Sequence, residues 1–332
     1  MIIHLKSGVA TAEAVQLAEA NKAIHFHDGD KDVLVLSASV KEVPAGLQSS
    51  TDKSFVTATD IQLASKEYQT EVRDVRIGEV HVGGNSKNTM MIAGPCSVES
   101  VEQVDQVAQV LKDLNIKTLR AGCFKPRTSP YTFQGLGEEG LKILADARDK
   151  YGFNIITEVK DSSHVDMVIE YADIIQIGAK AMYDHSIGRR CGQTKKPVLL
   201  KRGFGTTLQE FVQAAEFILS GGNPNVLLCE RGIRTFETHT RFTLDLCGVA
   251  FLKEKTNLPV VVDPSHAMGY RYGVPDLTRA AIAMGVDGLL VETHPDPSVA
   301  KSDAAQQLDL DQFREMHGTL QPIAKAIGYN LI

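Results

Sequence analysis

Thr118-Leu119-Arg120-Ala121-Gly122-Cys123-Phe124-Lys125-Pro126-Arg127-Thr128-Ser129-Pro130-Tyr131, residues 118–131, joins a short apolar strand to a stiff loop. The loop carries two cations, the hydroxyls of Thr128 and Ser129, and two prolines. Each proline fixes its own φ and pushes the residue before it towards extended backbone, so Lys125 and Ser129 are held out of a helix. Arg127 offers a planar fork of N–H donors and Lys125 a mobile ammonium, and the hydroxyls can complete an oxyanion cage. Taken alone, the loop is equally a solvated basic turn. Its weight comes from recurrence: an apolar strand followed by polar residues and a helix is the beat of the chain from residue 89 onward.

Strands are expected at 90–93, 118–121, 155–158, 174–177, 198–201, 226–229, 259–262 and 288–291. Helical spacing lies between them, as in Val104-Val107-Ala108-Leu111, Leu208-Phe211-Ala215-Ile218 and Leu277-Ala280-Ala281-Met284, and a closing helix carries Phe313, Met316, Leu320 and Ile323 on one side. Near-continuous apolar strands alternating with amphipathic helices predict a parallel sheet covered by helices. Eight beats over residues 89–332 predict an α/β chain folded as a (β/α)8 TIM barrel, with an open doubly wound sheet as the alternative. In a barrel, function gathers at the C-terminal strand ends. Polar residues sit there in every beat: Gly94-Pro95-Cys96-Ser97, Arg120 with the Lys125 loop, Glu158, Lys180, Lys201-Arg202, Glu230-Arg231, Asp263-Pro264-Ser265-His266 and Glu292-Thr293-His294.

Upstream, strands at 2–5 and 33–36, a helix over 10–20 and a short strand at 55–57 read as a small α+β unit over residues 1–70. Residues 71–88 read as a connector with a β-hairpin, its turn at Gly83-Gly84-Asn85. A net charge of -6 argues against a nucleic-acid partner, and the absence of a charged leader or a long apolar run argues against a membrane; a cytoplasmic protein is expected. Five cysteines without a CxxC pair suit reduced thiols, and Cys123, Cys229 and Cys247 are expected in the core.

Two chemistries separate among the strand-end residues. Cys96, His266, Glu292 and the nearby Asp303 are candidate ligands for one divalent transition metal, and a mixed thiolate, imidazole and carboxylate set suits Mn, Fe(II), Co or Zn better than Mg or Ca. Arg120, Lys125, Arg127, Lys180, Lys201 and Arg231 form a cationic set, which in an acidic protein implies a substrate with more than one anionic group, such as a phosphorylated sugar or keto acid. A Schiff-base aldolase using Lys201 is the rival chemistry.

Gly94-Pro95-Cys96-Ser97, Lys125-Pro126-Arg127-Thr128-Ser129, Leu200-Lys201-Arg202-Gly203, Cys229-Glu230-Arg231-Gly232, Asp263-Pro264-Ser265-His266 and Ser302-Asp303 resemble the 3-deoxy-D-arabino-heptulosonate 7-phosphate (DAHP) synthases. The blocks 125–137 and 227–237 resemble their type I beta subfamily, and the N-terminal segment is similar to the ferredoxin-like domain with which some members bind an aromatic amino acid. The resemblance implies condensation of phosphoenolpyruvate with erythrose 4-phosphate, the first step towards chorismate. It implies that Cys96, His266, Glu292 and Asp303 hold the metal, and that Arg120, Lys125, Lys180, Lys201 and Arg231 bind phosphoenolpyruvate. Pro126, Arg127, Thr128 and Ser129 would bind the tetrose phosphate, and Lys125, Glu158 and His266 would be the catalytic groups. It further implies a homotetramer and an inhibitor such as Phe or Tyr acting through residues 1–70. The related octulosonate-phosphate synthases and a non-catalytic regulatory paralogue are the alternatives. One departure stands out: the family pattern Gly-Ala-Arg-Asn is here Gly178-Ala179-Lys180-Ala181, so a bidentate clamp on phosphate becomes a point charge, and weaker binding or a re-formed pocket is expected, with Arg189 or Arg190 as substitutes.

Overall fold

The computed structural model describes residues 1–125, 129 and 131–332. Its first unit contains β1 (Ile2–Leu5), α1 (Thr11–Ala20), β2 (Ile24–Asp28), β3 (Lys31–Val35) and β4 (Thr51–Phe55). The sheet runs β2-β3-β1-β4 with antiparallel neighbours throughout. This is the ferredoxin-like order, with a 3-10 turn at Ala45–Leu47 where a second helix would lie. Strand side chains alternate between faces. Ile3, Leu5 and Leu34 accordingly pack with Ala14 and Ala18 of α1, while Ile2, Val33 and Val35 join the core shared with the second unit. β2 escapes the sequence reading because its alternation rests on only two apolar residues, Ile24 and Phe26, and β4 starts four residues before the expected strand because its middle residues, Asp52, Lys53 and Ser54, are exposed.

A two-stranded hairpin follows, β5 (Asp74–Ile77) and β6 (Val80–Gly83). Its turn is at Gly78, with φ 56°, rather than at 83–85, so the run 77–82 is two strand ends and not one strand. Val75, Ile77, Val80 and Val82 are buried against Met90, Ile156, Leu199, Leu227 and Leu290, which plugs one end of the barrel.

The barrel strands are β7 (Asn88–Gly94), β8 (Thr118–Arg120), β9 (Asn154–Val159), β10 (Ile174–Ile177), β11 (Val198–Lys201), β12 (Val226–Glu230), β13 (Val260–Val262) and β14 (Gly288–Glu292). Each pairs in parallel with the next, and β14 pairs with β7, which closes the cylinder. The helices over it are α2 (Val101–Asp113), α3 (Glu138–Tyr151), α4 (Val165–Tyr171), α5 (His185–Gly192), α6 (Leu208–Leu219), α7 (Leu246–Lys255), α8 (Pro264–Met268), α9 (Val274–Ala283) and α10 (Leu310–Ala326), before a final β15 (Asn330–Leu331). Alternate strand residues serve two cores, an inner one with Ile92, Leu199 and Val261 and an outer one with Ala93, Leu200 and Val262 against the helices. That double burial is why the strands read as unbroken apolar runs. Helix starts are set by side-chain caps, with capping boxes at Thr207 and Asp309. All five cysteines are free thiols. Cys247 is exposed, contrary to expectation, because the buried stripe of α7 runs through Gly248, Val249 and Leu252.

Candidate active site

Three strand ends and the loop after the last of them bring the expected metal set together. Cys96, just past β7, Glu292 at the end of β14, and Asp303 in the loop beyond it place one ligand atom each within 4.8 Å of one another. His266 Nε2, on α8 after β13, lies 3.6 Å from Glu292 Oε1 and 3.9 Å from Asp303 Oδ2. Cys96 Sγ is 3.5 Å from Asp303 Oδ2. Asp303 has φ 48°, a left-handed backbone that a non-glycine residue seldom adopts. The loop is held in that shape by Gln307, whose amide oxygen accepts from the Cys96 N–H and whose amide nitrogen donates to the Ser302 carbonyl.

The electrostatics fit a cation. Burial pushes the Cys96 thiol up to about 12, and Glu292 adds to the effect, so the sulfur keeps its proton unless a metal ion draws it off. Burial also raises the Glu292 carboxyl, but the charges of His266 and Arg120 outweigh it and hold the group below its ordinary range. Three oxygen and sulfur donors and an imidazole, two of them fully buried, form a donor set suited to a borderline transition ion.

The cationic set splits by side. Lys125, Lys201 and Arg231 are each no more than 6% exposed and line one cavity of about 270 Å³ with Glu158, Lys180, Arg241, Phe242, His266 and Asp303. Lys125 Nζ lies 3.1 Å from Cys96 Sγ and donates to the Cys96 carbonyl. Lys201 Nζ donates to Asp263 Oδ2 at 2.6 Å, and the same oxygen is 2.8 Å from His266 Nδ1. Burial raises the Asp263 carboxyl, but His266 and Lys201 together hold it well below the usual carboxylate range. An ammonium paired in this way is a poor nucleophile, which removes the main support for Schiff-base chemistry at Lys201. Arg231 is different: its guanidinium lies 4.4 Å from the Phe242 ring, and its Nη1 is buried without a hydrogen-bond partner among the described residues. Such a donor marks where an anion belongs. Lys180 is exposed at the cavity rim.

Other expected residues are placed elsewhere. Arg120 Nη1 is engaged by Glu292 Oε1 at 3.0 Å and by the Pro95 carbonyl. Arg202 turns outward to Glu230 and Asp245. Glu158 accepts from Gln176, and its carboxylate lies where a Cβ on Gly178 would be, 1.9 Å from Oε1, so a larger residue there would displace the Glu158 carboxylate. The Ser129 hydroxyl accepts from the Tyr131 N–H within its own loop. Pro126, Arg127 and Thr128 lie outside the described residues. Sequence reasoning assigned no role to Asp263, Arg241, Phe242, Gln307 or Gln306, whose amide nitrogen donates to Glu292 Oε2 and whose amide oxygen accepts from Arg241. Asp263 stands directly after a strand and Gln306 three residues past Asp303, and those positions were the available signals.

The sequence pattern of the DAHP synthetase I family matches residues 58–328. The chain belongs to that family. Its DAHP synthetase relatives include phospho-2-dehydro-3-deoxyheptonate aldolase of Thermotoga maritima, 44% identical over 336 residues and spanning 99% of both chains. A solved structure of that Thermotoga enzyme superposes with a TM-score of 0.81 at 40% identity, covering 100% of this chain and 99% of the other. A truncated form of the Thermotoga synthase matches 81% of this chain and 98% of its own length, with a TM-score of 0.76 and 44% identity. A 2-dehydro-3-deoxyphosphooctonate aldolase of Bordetella petrii is 36% identical over 245 residues, 67% of this chain and 85% of its own. The eight-stranded parallel barrel and the small N-terminal antiparallel sheet are those expected for the DAHP synthetase family. Among the described residues no helix is long and apolar enough to cross a membrane.

Proposed function

We propose that the chain condenses phosphoenolpyruvate with erythrose 4-phosphate and water to give 3-deoxy-D-arabino-heptulosonate 7-phosphate and inorganic phosphate. The observation that carries this reading is the cavity itself: buried Lys125, Lys201 and Arg231, one of them with an unpartnered donor, face the Cys96, His266, Glu292 and Asp303 cluster. Full-length similarity to the Thermotoga aldolase favours the seven-carbon product over the eight-carbon one, whose relatives match only about two thirds of the chain.

In this reading Arg231, Lys201 and Lys125 hold the phosphate and carboxylate of phosphoenolpyruvate, with Lys180 at the rim and Arg120 tying down Glu292 behind the cavity. Holding two anions side by side needs this charge, because their mutual repulsion opposes the near-attack geometry. Cys96, His266, Glu292 and Asp303 would hold a divalent transition metal, which when bound supplies Lewis-acid polarisation of the tetrose aldehyde. The Lys125 ammonium stands beside that cluster and can pass a proton to the aldehyde oxygen as C3 of phosphoenolpyruvate bonds to the aldehyde carbon. Glu158, held by Gln176, takes one proton from the water that adds at C2; as the new hydroxyl becomes the C2 ketone its remaining proton passes to the departing phosphate oxygen, and inorganic phosphate leaves. The Asp263 carboxylate fixes Lys201 and the Nδ1 side of His266, so both keep their orientation. Pro126, Arg127, Thr128 and Ser129 receive the tetrose phosphate on the family resemblance. The protein is proposed to work in the cytoplasm, as a homotetramer, under feedback by an aromatic amino acid through its ferredoxin-like unit.

A phosphate-release assay with phosphoenolpyruvate and either erythrose 4-phosphate or arabinose 5-phosphate tests the reaction. Release with the four-carbon sugar at least 10-fold faster than with the five-carbon sugar is expected. The reverse preference would assign octulosonate chemistry, and release with neither would leave a binding paralogue.

A further inference from the structure

The β2–β3 hairpin of the N-terminal unit carries a second cluster of metal-type donors, remote in sequence from the barrel set. His25 and His27 are two apart on β2, so their side chains leave the same face, and the register sets His27 directly opposite Asp32 on β3. His25 Nε2 lies 2.5 Å and His27 Nδ1 3.0 Å from the same oxygen, Asp32 Oδ1. The two rings meet edge-on, with centroids 5.1 Å apart. Asp32 and His25 are 13% and 14% exposed, and His27, at 53%, leaves one side open to water. The tight turn at Gly29, with φ 64°, fixes the strand pairing, so three donors within eight residues are preorganised by one hairpin.

We infer that this hairpin binds a divalent transition cation of the zinc class through His25, His27 and Asp32, independently of the barrel cluster. Two imidazoles converging on one carboxylate oxygen are a donor set for Zn, Co, Ni or Cu and not for Mg or Ca. A tetrahedral ion about 2.1 Å from each ligand atom requires donors about 3.4 Å apart. The donors here already lie within 4.8 Å of one another, with the two closest pairs below that spacing, so side-chain rotation alone opens the site. Three protein ligands leave further positions for water on the exposed side of His27. The ion would tie the edge strand β2 to β3 through side chains as well as backbone.

Full-length protein stripped of metal and re-equilibrated with Zn2+ is assayed for bound zinc beside His25→Ala and His27→Ala. Each variant is expected to hold one equivalent less than the parent and to lose the corresponding part of the zinc-induced rise in Tm. Equal zinc content in the parent and both variants overturns the site. Co2+ spectra in a Cys96→Ala background give a second readout that is free of thiolate absorption. A visible band abolished by adding His27→Ala supports the hairpin site, and an unchanged band contradicts it. Neither readout depends on the barrel reaction, so failure of the proposed function would leave this inference standing.

Discussion

At the scale of single residues, the site depends on which charges are already satisfied. Asp263 is fully buried and serves Lys201 and His266 at once. Removing one partner of a buried pair strands the other, at a cost of about 3–5 kcal/mol. Asp263→Asn is therefore expected to lower unfolding stability by about that amount in urea denaturation and to reduce kcat more than KM. Lys180 is the opposite case, exposed at the rim and lacking the fork of the family arginine. Lys180→Arg should lower the KM for phosphoenolpyruvate several-fold; an unchanged KM would mean that the position does not clamp substrate. Much at this scale could be read before the structure, because charged or ligand-type residues after every apolar strand have few structural uses in an acidic chain. Asp263, Gln306 and Gln307 could not be given roles that way. Their roles arise from convergence of distant loops, and nothing in their local spacing distinguishes them from ordinary polar loop residues.

At the scale of elements, the eight barrel strands were legible because each serves two cores, and the four helical patterns quoted were legible because their apolar positions recur at helical spacing. β2 was not, since Ile24 and Phe26, alternating with His25 and His27, are only two apolar positions on an edge strand and too short a run to mark it. Contact between the units was also invisible in the sequence. Glu216 on α6 accepts N–H bonds from Gln62, Leu63 and Ala64 at 2.8, 3.1 and 2.9 Å, which fastens the segment after the ferredoxin-like sheet to the barrel. Burial pushes this carboxyl up to about 7 despite the three donors. A folded pKa above the unfolded value of about 4.3 means that the group's contribution to stability is full at acidic pH and is lost as pH rises to about 7. Glu216→Gln, with one acceptor oxygen for three donors, should lower Tm near pH 5 and flatten its dependence between pH 5 and 7. A parent and variant with parallel Tm profiles would contradict this account.

For the whole molecule, the two units share a core rather than a simple tether. Leu63 and Ala64 are buried with Val33 and Val35 of the first sheet and with the outer core of the barrel. Removing residues 1–70, as the ferredoxin-like reading suggests, would strip all three donors from Glu216, whereas a chain beginning at residue 60 keeps them. The shorter deletion is expected to melt about 5 °C higher than the longer one, on the order of 1–3 kcal/mol for the lost acceptor bonds. Both should keep turnover and lose any inhibition by phenylalanine or tyrosine.

In the proposed reaction, four side chains from the ends of three strands and a following loop would hold one ion at the edge of a cation-lined cavity. A crystal soaked in manganese tests this most directly. The account predicts an anomalous peak bonded to Cys96, His266, Glu292 and Asp303, and its contradiction is a map with manganese elsewhere and none among those four residues.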